Sequence, residues 1–144
     1  MNVLSALREI FKKKPPCSTE TVYLKDALGR TLSKPIVTKK NIPEFDTSSM
    51  DGFAVKKSSL GKIKRFKILG EVPAGAITNF AIKPSECVRV YTGSRMPKNA
   101  DFVIIQENTQ TKEGFMLVKD FDKKNPYVRK AGLDFRKGQI ISHQ

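Results

Sequence analysis

From residue 50 onward the sequence abandons any helical repeat, and this limits the fold more than any other feature. Short β-rich runs follow one another: Phe53–Val55, Arg65–Leu69, Val88–Thr92, Phe102–Gln106, Phe115–Val118 and Gln139–Ile141. Turn formers separate them, at Gly61, Gly70, Pro73-Ala74-Gly75, Pro97-Lys98-Asn99 and Glu113-Gly114. Cys87-Val88-Arg89-Val90-Tyr91 alternates with period two, the spacing of a strand that turns one face inward. The pattern predicts a compact, mainly antiparallel β domain of the barrel or sandwich kind.

The first 50 residues read as α/β. Val3, Leu4, Leu7, Ile10 and Phe11 fall on one helical face, which predicts a helix over residues 1–14. Lys12, Lys13 and Lys14 suit its C-terminal end, and Pro15 and Pro16 stop it. At three turns and without Trp, the helix is expected to pack against its own protein rather than lie on a membrane. A short strand at Thr21–Leu24, a short helix around Lys25–Leu28 closed by Gly29, and an extended segment from Thr31 complete this part. The fold class is therefore α+β. A mainly β, barrel-like domain of residues 47–124 is inserted into a small α/β domain built from residues 1–46 and 125–144.

A length of 144 residues suits one domain or two small ones. No apolar run approaches the ~18 residues of a membrane span, and the first residues lack the pattern of a signal peptide. Two distant cysteines, Cys17 and Cys87, with the lone His143, exclude a Cys/His zinc site and make a disulfide framework implausible. A reducing cytoplasm is the expected compartment. The net charge is +13, divided as +4, +7 and +2 over residues 1–50, 51–100 and 101–144. Such a field attracts nucleic acid, phosphorylated small molecules or acidic protein surfaces. On composition alone a basic proteome or a solvated face is the favoured explanation.

Three segments carry residues of chemical interest. In Pro43–Val55, Asp51-Gly52 is a turn dipeptide whose glycine can take positive φ, setting Asp51 at the mouth of a strand, where a carboxylate binds a hard cation such as Mg²⁺. The alternative is a plain turn in which Asp51 bonds its own backbone. In Tyr91–Glu107, Thr92-Gly93-Ser94 follows a strand and offers hydroxyls and backbone N–H groups that together cradle an oxyanion, with Arg95 adding charge. The alternative is a loop closed by Pro97. In Arg129–Gly138, four basic residues surround Asp134, which is then a salt-bridge partner or a metal ligand. A surface loop explains this segment too. Neither common nucleotide-binding glycine loop is present, and no Ser-His-Asp set is available.

Together these segments are more specific than each is alone. ALGR at Ala27–Arg30, PEFDTSSMDGFAV at Pro43–Val55, GEVPAG at Gly70–Gly75, VRVYTGSRMPKNADFVIIQE at Val88–Glu107 and AGLD at Ala131–Asp134 occur in an order and spacing that resembles the N-terminal part of the molybdopterin molybdenumtransferase family (bacterial MoeA and the corresponding domain of gephyrin). The resemblance spans roughly residues 20–140. Ser49, Phe53, Ser94 and Asn99 are modest departures from the family pattern. Leu133, where the family usually has glutamate, puts the role of its loop in doubt.

The resemblance implies a small, elongated α/β region around the β domain, a homodimer, and the insertion of molybdate into adenylated molybdopterin with Mg²⁺ as cofactor. It implies catalytic roles for Asp51, Thr92 and Asp134, with Asp51 and Asp134 as metal ligands. Ser49, Gly52, Gly93, Ser94 and Arg129 are implied to bind substrate. Molybdopterin adenylyltransferase would be the pathway partner; neither nucleic acid nor membrane is expected as one. Family members continue into a molybdopterin-binding domain and a small C-terminal β domain. Against them, this chain is expected to be a fragment, a truncated product or half of a split protein, inactive alone. The competing reading is a non-catalytic basic β module that binds single-stranded nucleic acid or serves as a dimerisation scaffold.

Overall fold

The computed structural model describes residues 2–13 and 18–142. The chain divides into two compact units, Met1–Pro35 with Ser142–Gln144, and Ile36–Ile141. In the first, helix α1 runs over Val3–Lys12, capped by Asn2, whose side chain accepts from the Ser5 N–H at 2.9 Å. None of its residues is buried, and Ile10 and Phe11 are about two-thirds exposed (65% and 69%). Within this unit, among the described residues, the expected burial of the stripe is not found. The proposed stop at Pro15 and Pro16, Cys17 and His143 all lie outside the described residues. The strand expected at Thr21–Leu24 is also absent. A 3-10 turn forms at Leu24–Asp26 instead, with Tyr23 and Leu24 exposed and no neighbouring strand to accept their hydrogen bonds. Gly29 does adopt the positive φ (79°) expected of it.

The second unit holds the strands β1 (Ile36–Val37), β2 (Thr47–Ser48), β3 (Gly52–Val55), β4 (Arg65–Val72), β5 (Glu86–Val90), β6 (Phe102–Ile105), β7 (Thr109–Lys112), β8 (Phe115–Val118) and β9 (Val128–Arg129). The last strand, β10 (Ile140–Ser142), pairs with β1. Six strands form one sheet in the order β6-β3-β5-β4-β8-β7. It is a curled half-barrel with open edges at β6 and β7, not a closed barrel. The pairing is antiparallel as expected except at β4 and β5, which run parallel.

Both faces of this sheet are apolar, so β3 is buried along its whole length. Phe53 and Val55 point to one face, with Phe66, Cys87, Phe102, Ile104 and Met116. Ala54 points to the other, with Val72, Ile82, Val88, Val90, Met96 and Val103. Ile82 comes from the connection between β4 and β5, which covers that second face. Burial pushes the Cys87 thiol up to about 12, so it behaves as a small core hydrophobe.

Three strands lack an apolar signature. Strand β7, Thr-Gln-Thr-Lys, forms because Glu113 and Gly114 both take positive φ (51° and 78°), the geometry of a hairpin turn matched to strand twist. Strands β2 and β9 are two residues each, with Thr47 opposite Arg129 and Ser48 opposite Val128. That short ladder joins the Asp51 and Asp134 segments.

Candidate active site

Asp51 lies in the bend between β2 and β3. Its backbone carbonyl accepts from the Gln106 N–H at 3.0 Å. Its Oδ1 accepts from the Thr92 N–H at 2.8 Å and from the Thr92 hydroxyl at 3.0 Å. Asp51 therefore bonds a loop 41 residues away rather than its own backbone. These two bonds, and then the positive charge of Arg89, hold its carboxyl below the usual carboxylate range, so it is ionised at neutral pH. Oδ2 has no hydrogen-bond partner among the described residues.

Gly52 does not take positive φ as expected. It is required for another reason: a Cβ there would stand 2.1 Å from the Ile104 carbonyl oxygen. Gly52 is buried beside Asp51.

The Thr92–Ser94 loop differs from the expected oxyanion cradle. The Thr92 N–H is spent on Asp51, the Gly93 N–H donates to Ser48 O at 2.9 Å, and the Ser94 N–H donates to Tyr91 O at 2.8 Å. Gly93 has φ 85°, which lets the chain make this turn. Ser94 is fully buried. Its hydroxyl donates to Val72 O at 2.6 Å and accepts from the Tyr91 N–H at 2.9 Å, which ends β5 ahead of Thr92. Ser94 and Gly52 thus build the wall from behind.

Asp134 is tethered differently. One nitrogen of Arg129, Nη2, donates to both of its carboxylate oxygens at 2.7 Å. Both side chains are close to half exposed. The loop is pinned by a residue that sequence reasoning passed over. Asp46 accepts from Lys130 Nζ at 2.7 Å and from the Ala131 N–H at 2.9 Å. Burial opposes the ionised form of Asp46, but those bonds and the Lys130 charge hold its carboxyl below the usual range.

Thr47, Ser49, Thr92, Gly93, Arg129 and Asp134 line an open depression of about 450 Å³. Five of the eight residues singled out from the sequence therefore share one concavity, and Asp51 joins it through Thr92. Among the described residues no group of three or more His, Cys, Asp or Glu side chains could hold a metal. The donors nevertheless fit Mg²⁺ as it is often bound, by one or two carboxylates with phosphate and water supplying the rest. Asp51 offers an open oxygen for this; Asp134 would have to share with Arg129.

The sequence-based reading also missed Arg89 and Gln106. Arg89 Nη2 donates to Gln106 Oε1 at 2.6 Å, and Gln106 in turn holds the Asp51 carbonyl. The available signal was a cation inside an otherwise apolar alternation, Cys87 to Tyr91.

The whole chain, residues 1–144, matches the family model of the MoeA N-terminal region, domains I and II. It is 32% identical over 130 residues to a molybdopterin molybdenumtransferase of Haemophilus influenzae, covering 90% of this chain and 32% of the relative. A molybdopterin molybdenumtransferase of Bacillus subtilis is 32% identical over 145 residues, covering 94% and 34%. The solved molybdopterin biosynthesis MoeA protein of Pyrococcus horikoshii superposes with a TM-score of 0.80 at 28% identity, over 97% of this chain and 37% of that one. The chain spans about a third of the length of the curated relatives it matches. The fold, the shared site segments and the full-length match lead to one conclusion: the chain belongs to the family of the MoeA N-terminal region.

Proposed function

We propose that the chain is the N-terminal portion of a molybdopterin molybdenumtransferase, which inserts molybdate into the dithiolene of adenylated molybdopterin and releases AMP. One observation carries this reading. In a chain of this family, an ionised carboxylate with one open oxygen is fixed by Thr92 beside a depression that also holds Arg129 and Asp134. Both substrates are anions, and a net charge of +13 concentrates them. Arg129 spends only Nη2 on Asp134, so its remaining nitrogens can meet substrate oxygens. Mg²⁺, when bound, would neutralise charge on phosphate oxygens. Asp51 would hold it, with Asp134 as the second candidate ligand. Thr92 fixes the carboxylate, and Ser49 and Gly93 shape the depression.

The assembly belongs to the same reading. Residues 47–124 form a mainly β domain set into a segment of residues 1–46 and 125–144. The β2–β9 ladder supports this, because it ties the two crossing points together. The exposed apolar face of α1 supports a homodimer. Light scattering at micromolar concentration should give about twice 16.2 kDa, and the monomer mass would count against the dimer. The enzyme works in the cytoplasm on the product of molybdopterin adenylyltransferase. A nucleic-acid role finds no support, since Phe53, Phe66 and Phe102, which could stack on bases, are buried.

In the family, the cleft's opposite wall comes from the molybdopterin-binding domain, and catalysis needs both walls placed to within about 1 Å. The test is molybdenum incorporation by the 144-residue chain, by the chain joined to the remaining two-thirds of the Bacillus subtilis relative, and by that fusion carrying Asp51→Asn. The unsubstituted fusion should turn over, the isolated chain should not, and the Asp51→Asn fusion should be slower by about 100-fold. Turnover by the isolated chain refutes the two-wall reading, and full activity with Asp51→Asn removes Asp51 from the site.

A further inference from the structure

We infer that Arg89 is a positioning residue for the Asp51–Thr92 pair, acting through Gln106. The inference rests on the reading of Asp51 and Thr92 as working residues. Arg89 sits opposite Phe53 on β3 and Glu71 on β4, on the face that carries Phe66, Cys87 and Phe102. An apolar residue there would extend that core. The guanidinium instead lies over the rings of Phe53 (5.1 Å) and Tyr91 (5.5 Å), and its Nε is buried without a hydrogen-bond partner. Arg89 makes no salt bridge among the described residues, and the Glu71 carboxylate opposite it accepts from the Tyr91 hydroxyl at 2.7 Å.

A side chain kept for stability alone would not leave a buried donor orphaned at an apolar position. Two things that a leucine could not supply remain. The first is the 2.6 Å bond to Gln106 Oε1, which fixes the residue whose N–H clamps the Asp51 carbonyl at 3.0 Å. The second is a positive charge that favours the ionised form of the Asp51 carboxylate. Backbone and side chain of Asp51 are thus held from two directions, by Gln106 and by Thr92, and Arg89 secures the first.

Hydrogen exchange on the 144-residue chain separates positioning from plain stability and needs no substrate. In Arg89→Met, the Gln106 and Thr92 amides should exchange about tenfold faster while the core amides of Val88 and Val103 stay within about twofold. Gln106→Leu should reproduce the pattern, the double variant should add little, and Arg89→Lys should recover part of the protection. The Thr92 amide proton shift should move with its exchange rate. Unchanged Thr92 and Gln106 amides in Arg89→Met overturn the inference. So does uniform acceleration of all core amides, and so does a Gln106→Leu chain that behaves like wild type. Should Arg89→Met not fold, Gln106→Leu, whose site is exposed, carries the test alone. A failed fusion assay with this exchange pattern intact would sink the transferase reading and leave the coupling standing. The reverse result would sink only the coupling.

Discussion

The bend that carries Asp51 and the loop that carries Asp134 border the same depression, yet they hold the same side chain in opposite ways. Asp51 is gripped by neutral donors on one oxygen and left open on the other. It leads directly into β3, the strand buried on both faces. Asp134 has both oxygens on one cation, in a half-exposed loop fastened by Asp46. The difference teaches a division of labour. A carboxylate with an open oxygen, set by a rigid sheet, can accept a metal or a proton at a fixed place. A carboxylate already shared with arginine adjusts the local charge and orients its partner.

Glycine substitutions test the rigidity half of this contrast most severely. In Gly52→Ala the new Cβ would meet the Ile104 carbonyl at 2.1 Å, and backbone atoms on β6 cannot step aside. We expect a loss of roughly 3 kcal/mol or more in urea unfolding, near the upper range of single substitutions. Gly132→Ala, in the Asp134 loop, combines φ +72° with contacts of 3.2 Å to Arg136 Cγ and Asn41 Oδ1. Flexible side chains can yield there, so a loss of about 1–2 kcal/mol is expected, mostly from the backbone angle. Equal losses at the two sites would remove the distinction between rigid strand and adaptable loop.

The functional half is tested in the fusion enzyme. Asp51→Asn should lower turnover on the order of 100-fold, as loss of a preorganised charged group commonly does. Asp134→Asn should cost about tenfold, the range for a residue that acts by orienting another. Asp134→Asn should unfold close to wild type, since its side chain is exposed, whereas Asp51→Asn loses the charge-assisted part of the Thr92 bonds and should be slightly less stable at neutral pH. A larger effect at Asp134 would reverse the assignment of roles.

These roles were only partly legible in the sequence. Strands β3, β4, β5, β6 and β8 announce themselves through apolar runs, and the site segments through their polar clusters and turn residues. The path that brings the segments together does not. Strands β2 and β9 have two residues each and form because tertiary pairing overrides local pattern. The hydrogen bonds of the Thr92–Ser94 loop were equally hidden. A glycine and two hydroxyl residues suggest free N–H groups, but only the folded chain shows Asp51, Ser48 and Tyr91 accepting them. A further turn follows at Pro97, where the Ala100 N–H donates to the Pro97 carbonyl at 3.2 Å.

Acid sharpens the description of Asp51. Its folded pKa lies below the unfolded value of about 3.9, so its contribution to stability is complete above that value. The contribution is lost as pH falls through the lowered folded value, because protonation ends the charge-assisted bonds from Thr92. The stability difference between wild type and Asp51→Asn should therefore be constant from pH 7 to about pH 5 and shrink below about pH 3.9. Urea midpoints of both proteins across that range provide the measurement. A difference that grows on acidification would mean that Thr92 does not favour the ionised form.

The smallest effect belongs to the Arg129–Asp134 pair. Its two bonds of 2.7 Å look strong, but the side chains are 47% and 42% exposed. Water competes for both, and ordering two side chains offsets much of the attraction. A double-mutant cycle with Arg129→Gln and Asp134→Asn should return a coupling of about 0.5 kcal/mol in unfolding free energy, falling further in 1 M salt. The same cycle read in substrate affinity should behave differently. Asp134→Asn frees Arg129 and should tighten binding of inorganic phosphate as a probe anion, whereas Arg129→Gln should weaken it. Coupling in stability well above 1 kcal/mol, with no opposite movement in phosphate affinity, would make the pair a structural clamp rather than a device for setting charge at the depression.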